Sequence, residues 1–279
     1  MCLHRSALIL LVVNSMAGVG AMAAERPGSG PGGPSAPPEV IHELAPSGTL
    51  RAAINLGNSV MAQKDASTGE LKGVSVELAA ELGERLGVPV AYVPFEAAGK
   101  VFEALGEDQW DVAFLAVEPA RATQIDFTAP YVLIEATYMV RNDSPLRRVS
   151  EVDRAGIRIA VGRGSAYDLY LTRTLRNATI VRAATGGGRA MIDLFLADKL
   201  EVVAGVRQQL AAYANTDPGL RIMTDKFMDV PQAVGIPKGR LLAPAFLHSF
   251  VEEMKASGFV ADALRRSGQV GALVAPPSP

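Results

Sequence analysis

Short β-rich runs alternate with helical stripes along most of this chain, and that alternation restricts it to an α/β fold with largely parallel sheets. The runs TLRAAIN (49–55), VAYVP (90–94), DVAFL (111–115), IRIAV (157–161), TIVR (179–182) and VVA (202–204) predict strands. Between the first two, Val76, Ala79, Ala80, Leu82 and Leu86 share one helical stripe. Shorter helices are expected over 100–105, from the Gly164-Ser165 turn to Leu175, and over 190–197. Ala243, Phe246, Leu247, Phe250, Val251 and Met254 mark a strongly amphipathic last helix. In open sheets of this kind, ligands sit beyond the carboxyl ends of strands. Two strand ends therefore matter most, 115–121 and 161–167.

At 279 residues the length favours two domains. With 49% hydrophobic and 20% charged residues the chain can bury sizeable cores. A formal net charge of −2 offers no basic field to nucleic acid or anionic lipid, so neither is an expected partner. One cysteine, Cys2, and three histidines, His4, His42 and His248, exclude an intrachain disulfide framework, a cysteine-based zinc site and Cys–His catalysis. No metal or cofactor is expected.

Arg5, the apolar run ALILLVV (7–13) and the small-residue pattern Ala21-Met22-Ala23 form the pattern of a cleavable secretory signal peptide over residues 1–23. The run is far shorter than the roughly 20 residues that span a bilayer. Residues 24–46, which include ERPGSGPGGPSAPP (25–38), are expected to be a disordered Pro/Gly-rich linker. A periplasmic location follows. It suits a mature chain that has lost Cys2 and relies on no disulfide.

Two helix starts are suited to an anion. In Ala116-Val117-Glu118-Pro119-Ala120-Arg121, Pro119 fits the first helical position and Glu118 lies near the cap. Arg121 in the first turn can swing back over the strand end, where its fork matches a carboxylate with two hydrogen bonds. The same spacing also fits a surface arginine paired with Glu118 or Asp126. In Gly162-Arg163-Gly164-Ser165-Ala166-Tyr167-Asp168, Ser165 and Asp168 stand at capping-box spacing. The glycines there let the backbone approach a ligand at the positive end of a helix, although an ordinary capped helix has the same pattern. Neither segment is a phosphate-cradling GxGxxG or a Lys-bearing P-loop.

Three stretches, GVSVELAAELGERLGVPV (73–90), WDVAFLAVEPARATQIDFTAPY (110–131) and GIRIAVGRGSAYDLYL (156–171), together resemble the family-3 extracellular solute-binding proteins, the periplasmic receptors of polar amino acid ABC importers. The resemblance covers about residues 47–267. It implies a two-lobed periplasmic binding protein fold whose two crossover strands act as hinges, closing on a ligand like a flytrap. Lobe 1 would comprise 47–131 plus 234–273, lobe 2 would comprise 135–228, and the hinges would fall near 132–134 and 229–233. No bond chemistry is implied. The expected partners are a small-molecule ligand and a membrane permease, and the receptor is expected to be a monomer. By the same resemblance Arg121 clamps the ligand carboxylate. The helix start at Gly164, Ser165 and Ala166 holds that group through backbone amides, and Ala116 offers its backbone.

Departures from the family pattern mark the other half of the site. The aspartate that would meet a ligand ammonium, after strand 202–204, aligns with Val206, which Arg207 follows. Aromatic positions that would cover the ligand align with Asn58 and Ala98, and an acidic one with Asn55. A buried ammonium without a counter-charge is costly. Either Glu118 takes the acidic role and the ligand is an amino acid, or the ligand is a carboxylate without an α-ammonium. In the second case Arg163 or Arg207 meets a second negative group, unless both are solvated surface cations. The alternative from another class is an exported dehydratase of the cyclohexadienyl type, acting on prephenate or arogenate, with Glu118 or Glu201 as its acid.

Overall fold

The computed structural model of the protein describes residues 36–184, 187–269 and 271–278. The expected signal peptide, and the expected linker up to residue 35, lie outside the described residues. From the N-terminal side the elements are α1 (Pro38–Leu44), β1 (Leu50–Asn55), a hairpin of β2 (Gln63–Lys64) and β3 (Leu71–Lys72), α2 (Val74–Leu86), β4 (Val90–Phe95), α3 (Ala98–Glu103), β5 (Val112–Ala116) and β6 (Ile125–Phe127). The long strand β7 (Val132–Arg141) leads into β8 (Arg158–Gly162), α4 (Ala166–Thr174), β9 (Thr179–Ala183), α5 (Gly188–Ala197), β10 (Val202–Val206), α6 (Arg207–Ala214) and β11 (Leu220–Ile222). A second long strand, β12 (Met228–Pro237), leads back to α7 (Ala243–Ala256), α8 (Phe259–Arg266) and β13 (Leu273–Val274).

The main sheet runs β4-β1-β5-β12-β7-β10-β8-β9. Each end is a parallel trio, β4-β1-β5 in one half and β10-β8-β9 in the other. The two long strands join the halves. Met228–Gln232 of β12 pairs antiparallel with Ala136–Val132 of β7. Beyond that stretch β12 pairs with β5, while β7 pairs with β10. Each long strand therefore starts in one half and ends in the other, and among the described residues the chain crosses only there.

The trios form where the sequence is most apolar. All five residues of β5 (VAFLA) and of β10 (VVAGV) are buried, as expected for strands covered on both faces. Helix α2 buries Leu78, Leu82 and Leu86 and ends at Gly87, whose φ of 67° supplies the left-handed cap that stops the helix. Truncating fully buried Leu78 to alanine would cost about 2–5 kcal/mol.

Two expectations are corrected. The linker expected to run to residue 46 ends earlier, because Pro38–Leu44 is a helix that buries Val40 and Leu44 against the core. The Glu43 carboxylate of this helix accepts the N–H groups of Leu241, Leu242 and Ala243, which precede or open α7. The helix expected to begin at Pro119 is a turn followed by one 3₁₀ turn, Arg121–Thr123, because β6 begins at Ile125 and leaves no room for an α-helix.

Candidate functional site

The carboxyl ends of β1, β5, β8 and β10 converge on one cavity between the two halves. Asn55, Ala116, Gly162 and Val206, the last residues of those strands, all line it. The cavity offers about 40 Å³ to the centres of water-sized spheres, room for about three waters.

Arg121 is the dominant charge. The 3₁₀ turn carries its side chain back over the end of β5, where Nη1 donates to the Ala116 carbonyl at 2.9 Å. Nη2 donates across the gap to the Gly164 carbonyl at 2.8 Å. The side chain is 1% exposed, and its Nε–H has no partner. Burial pushes its pKa down to about 10, opposed by the charge of Glu118, so it remains a cation at neutral pH. No carboxylate pairs with it among the described residues, because the one acid whose charge it feels, Glu118, is held by Arg173. A buried guanidinium without a counter-charge is costly, and an anion entering the cavity relieves that cost.

The opposite wall is the start of α4. Ser165 Oγ accepts the Asp168 N–H at 3.1 Å, the capping bond expected from their spacing. The return bond differs: the Asp168 carboxylate accepts the Gly164 N–H at 2.8 Å, and the Ser165 N–H turns to the Gly162 carbonyl at 3.1 Å. The amides of Gly164 and Ser165 are therefore occupied. Those of Ala166 and Tyr167 have no acceptor among the described residues and are the free donors of this helix end.

Asn55 and Asn58 line the cavity and are buried. The Asn55 Oδ1 accepts the Gly57 N–H and the Asn58 Oδ1 accepts the Val60 N–H, which leaves their Nδ2 groups as the unused ends. Arg163 also lines the cavity, with its side chain largely exposed.

Two expected ligand residues lie elsewhere. Glu118 is buried but does not line the cavity; both its oxygens accept from Arg173 of the other half, at 2.7 and 2.9 Å. Arg207 turns away to Glu135 at 2.7 Å and to the carbonyls of Met223 and Thr224. Glu201, the other acid expected for a dehydratase, pairs with Arg158. No aspartate or glutamate lines the cavity among the described residues.

Sequence reasoning missed Gln209 and Gln232. Gln209 reaches from α6 to the Gly57 carbonyl and Ser59 Oγ, at 3.1 and 3.2 Å. Gln232 lies on β12 where it passes from one half to the other, and that position was its only sequence signal. Together with Arg121–Gly164 and Glu118–Arg173, the Gln209 bonds hold the halves in contact. That contact is close because Gly99 and Gly164 face each other: a Cβ on Gly164 would stand 2.9 Å from the Gly99 Cα.

The sequence model for bacterial extracellular solute-binding proteins, family 3, matches residues 50–267. No curated protein matches the chain. Among solved structures, a mutant of ArgBP from T. maritima superposes with a TM-score of 0.69 at 21% identity, covering 82% of this chain and 99% of that one. The solute receptor for L-cysteine of Neisseria gonorrhoeae gives 0.70 at 18%, covering 81% and 92%. The ancestral amino acid-binding protein AncCDT-1, described as a precursor of cyclohexadienyl dehydratase, gives 0.67 at 21%, covering 81% and 97%. At these identities the likeness establishes the two-lobed α/β fold with its two crossovers.

Proposed function

The chain belongs to the bacterial extracellular solute-binding proteins, family 3, and we propose that it is the periplasmic substrate-binding subunit of an ABC importer, closing on an amino acid or similar small carboxylate. Residues 47–131 plus 234–273 form one lobe and residues 135–228 the other, with β7 and β12 as hinges. Residues 1–23 direct export. A membrane permease recognises the closed form of the monomer, and no bond is made or broken.

The observation that carries this reading is Arg121, a buried cation without a carboxylate partner, facing the free amides of Ala166 and Tyr167 across a cavity between the halves. Structural neighbours that include a substrate-binding protein bound to L-arginine and a solute receptor for L-cysteine support a ligand of amino acid size. The dehydratase alternative requires an acid in the cavity, and its two candidates, Glu118 and Glu201, are committed to Arg173 and Arg158. Isothermal titration of the ligand-stripped chain against the twenty amino acids and a set of small carboxylates is the direct test. Saturable binding that disappears in Arg121→Ala is expected; a folded chain that binds none of them refutes the reading.

A further inference from the structure

Resting on the carboxylate-receptor reading above, we propose that the cleft selects a small carboxylate whose α-substituent is an uncharged oxygen, as in a 2-hydroxy or 2-oxo acid, over the corresponding amino acid. The charge of the lining comes first. Arg121 and Arg163 line the cavity, and no aspartate or glutamate does among the described residues. The acids that flank the cavity are paired, Glu118 with Arg173 and Asp168, at the start of α4, with Arg182. The start of α4 adds the positive end of a helix dipole. With these acids paired, the net charge at this wall favours an anion and opposes an ammonium.

The second observation is which hydrogen-bonding groups remain unused. An ammonium needs acceptors, whereas a carboxylate and a hydroxyl or keto oxygen accept. The free donors around this cavity are Arg121 Nε, the Ala166 and Tyr167 amides, and the Nδ2 groups of Asn55 and Asn58, whose carbonyl ends are already taken. Two carbonyls beside the cavity, those of Ala116 and Gly164, are already taken by Arg121. The acceptors that remain are the side-chain carbonyls of Gln209 and Gln232, the Arg163 carbonyl and the hydroxyl oxygens of Ser165 and Tyr167, and none of them carries a charge. Val206 and Val230 present apolar surface, where an ammonium would be left without a partner. A third acid, Glu96, lines an outer groove of about 570 Å³ that also contains Arg189, beyond the hydrogen bond between Gln209 and Gly57.

The test uses matched acids on the ligand-stripped chain: glycolate and glyoxylate against glycine, lactate and pyruvate against alanine, malate and oxaloacetate against aspartate, with the other amino acids titrated alongside. The expected result is that the tightest binder is an oxygen-bearing acid, at least about tenfold tighter than its amino partner, the scale of one unpaired buried charge. The 2-hydroxy and 2-oxo arms separate the two oxygen types. Val206→Asp, which brings a carboxylate to the lining, should narrow that preference by about tenfold or reverse it. An amino acid that binds the wild-type chain as tightly as the best oxygen acid overturns the inference and leaves the receptor reading intact. A folded chain that binds neither class overturns the receptor reading, and this inference with it.

Discussion

Arg173 of α4 holds both carboxylate oxygens of Glu118 across the gap between the halves, at 2.7 and 2.9 Å, and Glu118 is 2% exposed while the arginine is 42% exposed. The pair exists only while the halves touch. Removing the arginine leaves a buried carboxylate without a partner, and hinge opening is the cheapest way to rehydrate it. Arg173→Ala should therefore populate an open form instead of unfolding. Small-angle scattering should report a larger radius of gyration, and ligand affinity should fall by about tenfold. A variant as compact as the wild type, with unchanged affinity, would show that the pair does not hold the halves together.

Gly99 predicts opposite signs for stability and binding. It lies in α3, where alanine in place of glycine gains about 0.5–1 kcal/mol. The nearest atoms to an added Cβ belong to the other half: the Arg163 carbonyl at 3.1 Å and the Gly164 Cα at 3.3 Å. Gly99→Ala should raise the melting temperature of the unliganded protein while weakening ligand binding, by about 1–3 kcal/mol of steric cost on closure. Calorimetry with and without ligand separates the two effects, and equal shifts in both states would count against a role for this contact in closure.

Legibility followed the range of the interactions. The parallel trios were readable because each strand is a short apolar run whose burial depends on its own residues, as in VAFLA and VVAGV. The crossovers have no local signal of their own: β7 and β12 are long strands that pair with each other only once both halves have formed. Glu118 and Arg207 turn from the cavity to partners, Arg173 and Glu135, that lie 55 and 72 residues away. Local spacing carries no trace of such pairs. The Gly99–Gly164 approach and the Gln209 bonds were invisible for the same reason, since they exist only when two separately formed halves meet. Helix α1 was hidden differently: a Pro/Gly/Ser-rich lead-in masked a helix of seven residues whose apolar face is Val40 and Leu44 with partly buried Ile41.

That short helix makes its own prediction. Glu43 accepts three backbone N–H groups at the start of α7, and these bonds hold its carboxyl below the usual glutamate range. Glu43→Ala removes a helix-terminus cap and should cost about 0.5–2 kcal/mol. Deleting residues 36–46 should cost more, because Val40 and Leu44 leave the core as well. Thermal denaturation of the two variants should rank them in that order. A truncation at residue 46 that melts with the wild type would restore the linker reading for this segment.

The pH dependence of binding follows from Arg121. Its folded pKa of about 10 lies below that of a free arginine because burial penalises the charged form. Between those values the unfolded chain holds more protons than the folded one, so the penalty of keeping this cation buried eases only as pH rises through about 10. A bound anion has the opposite effect. It stabilises the charged form and raises the pKa of the complex, so binding takes up a proton where the free protein has lost one. Affinity for a carboxylate should therefore be flat between roughly pH 7 and 9 and fall above about 10, by up to tenfold per unit. Titrations in two buffers of different ionisation enthalpy should show proton uptake appearing over that upper range. If affinity already declines below about pH 8, the group that titrates is not this guanidinium, and the anion is held by something other than Arg121.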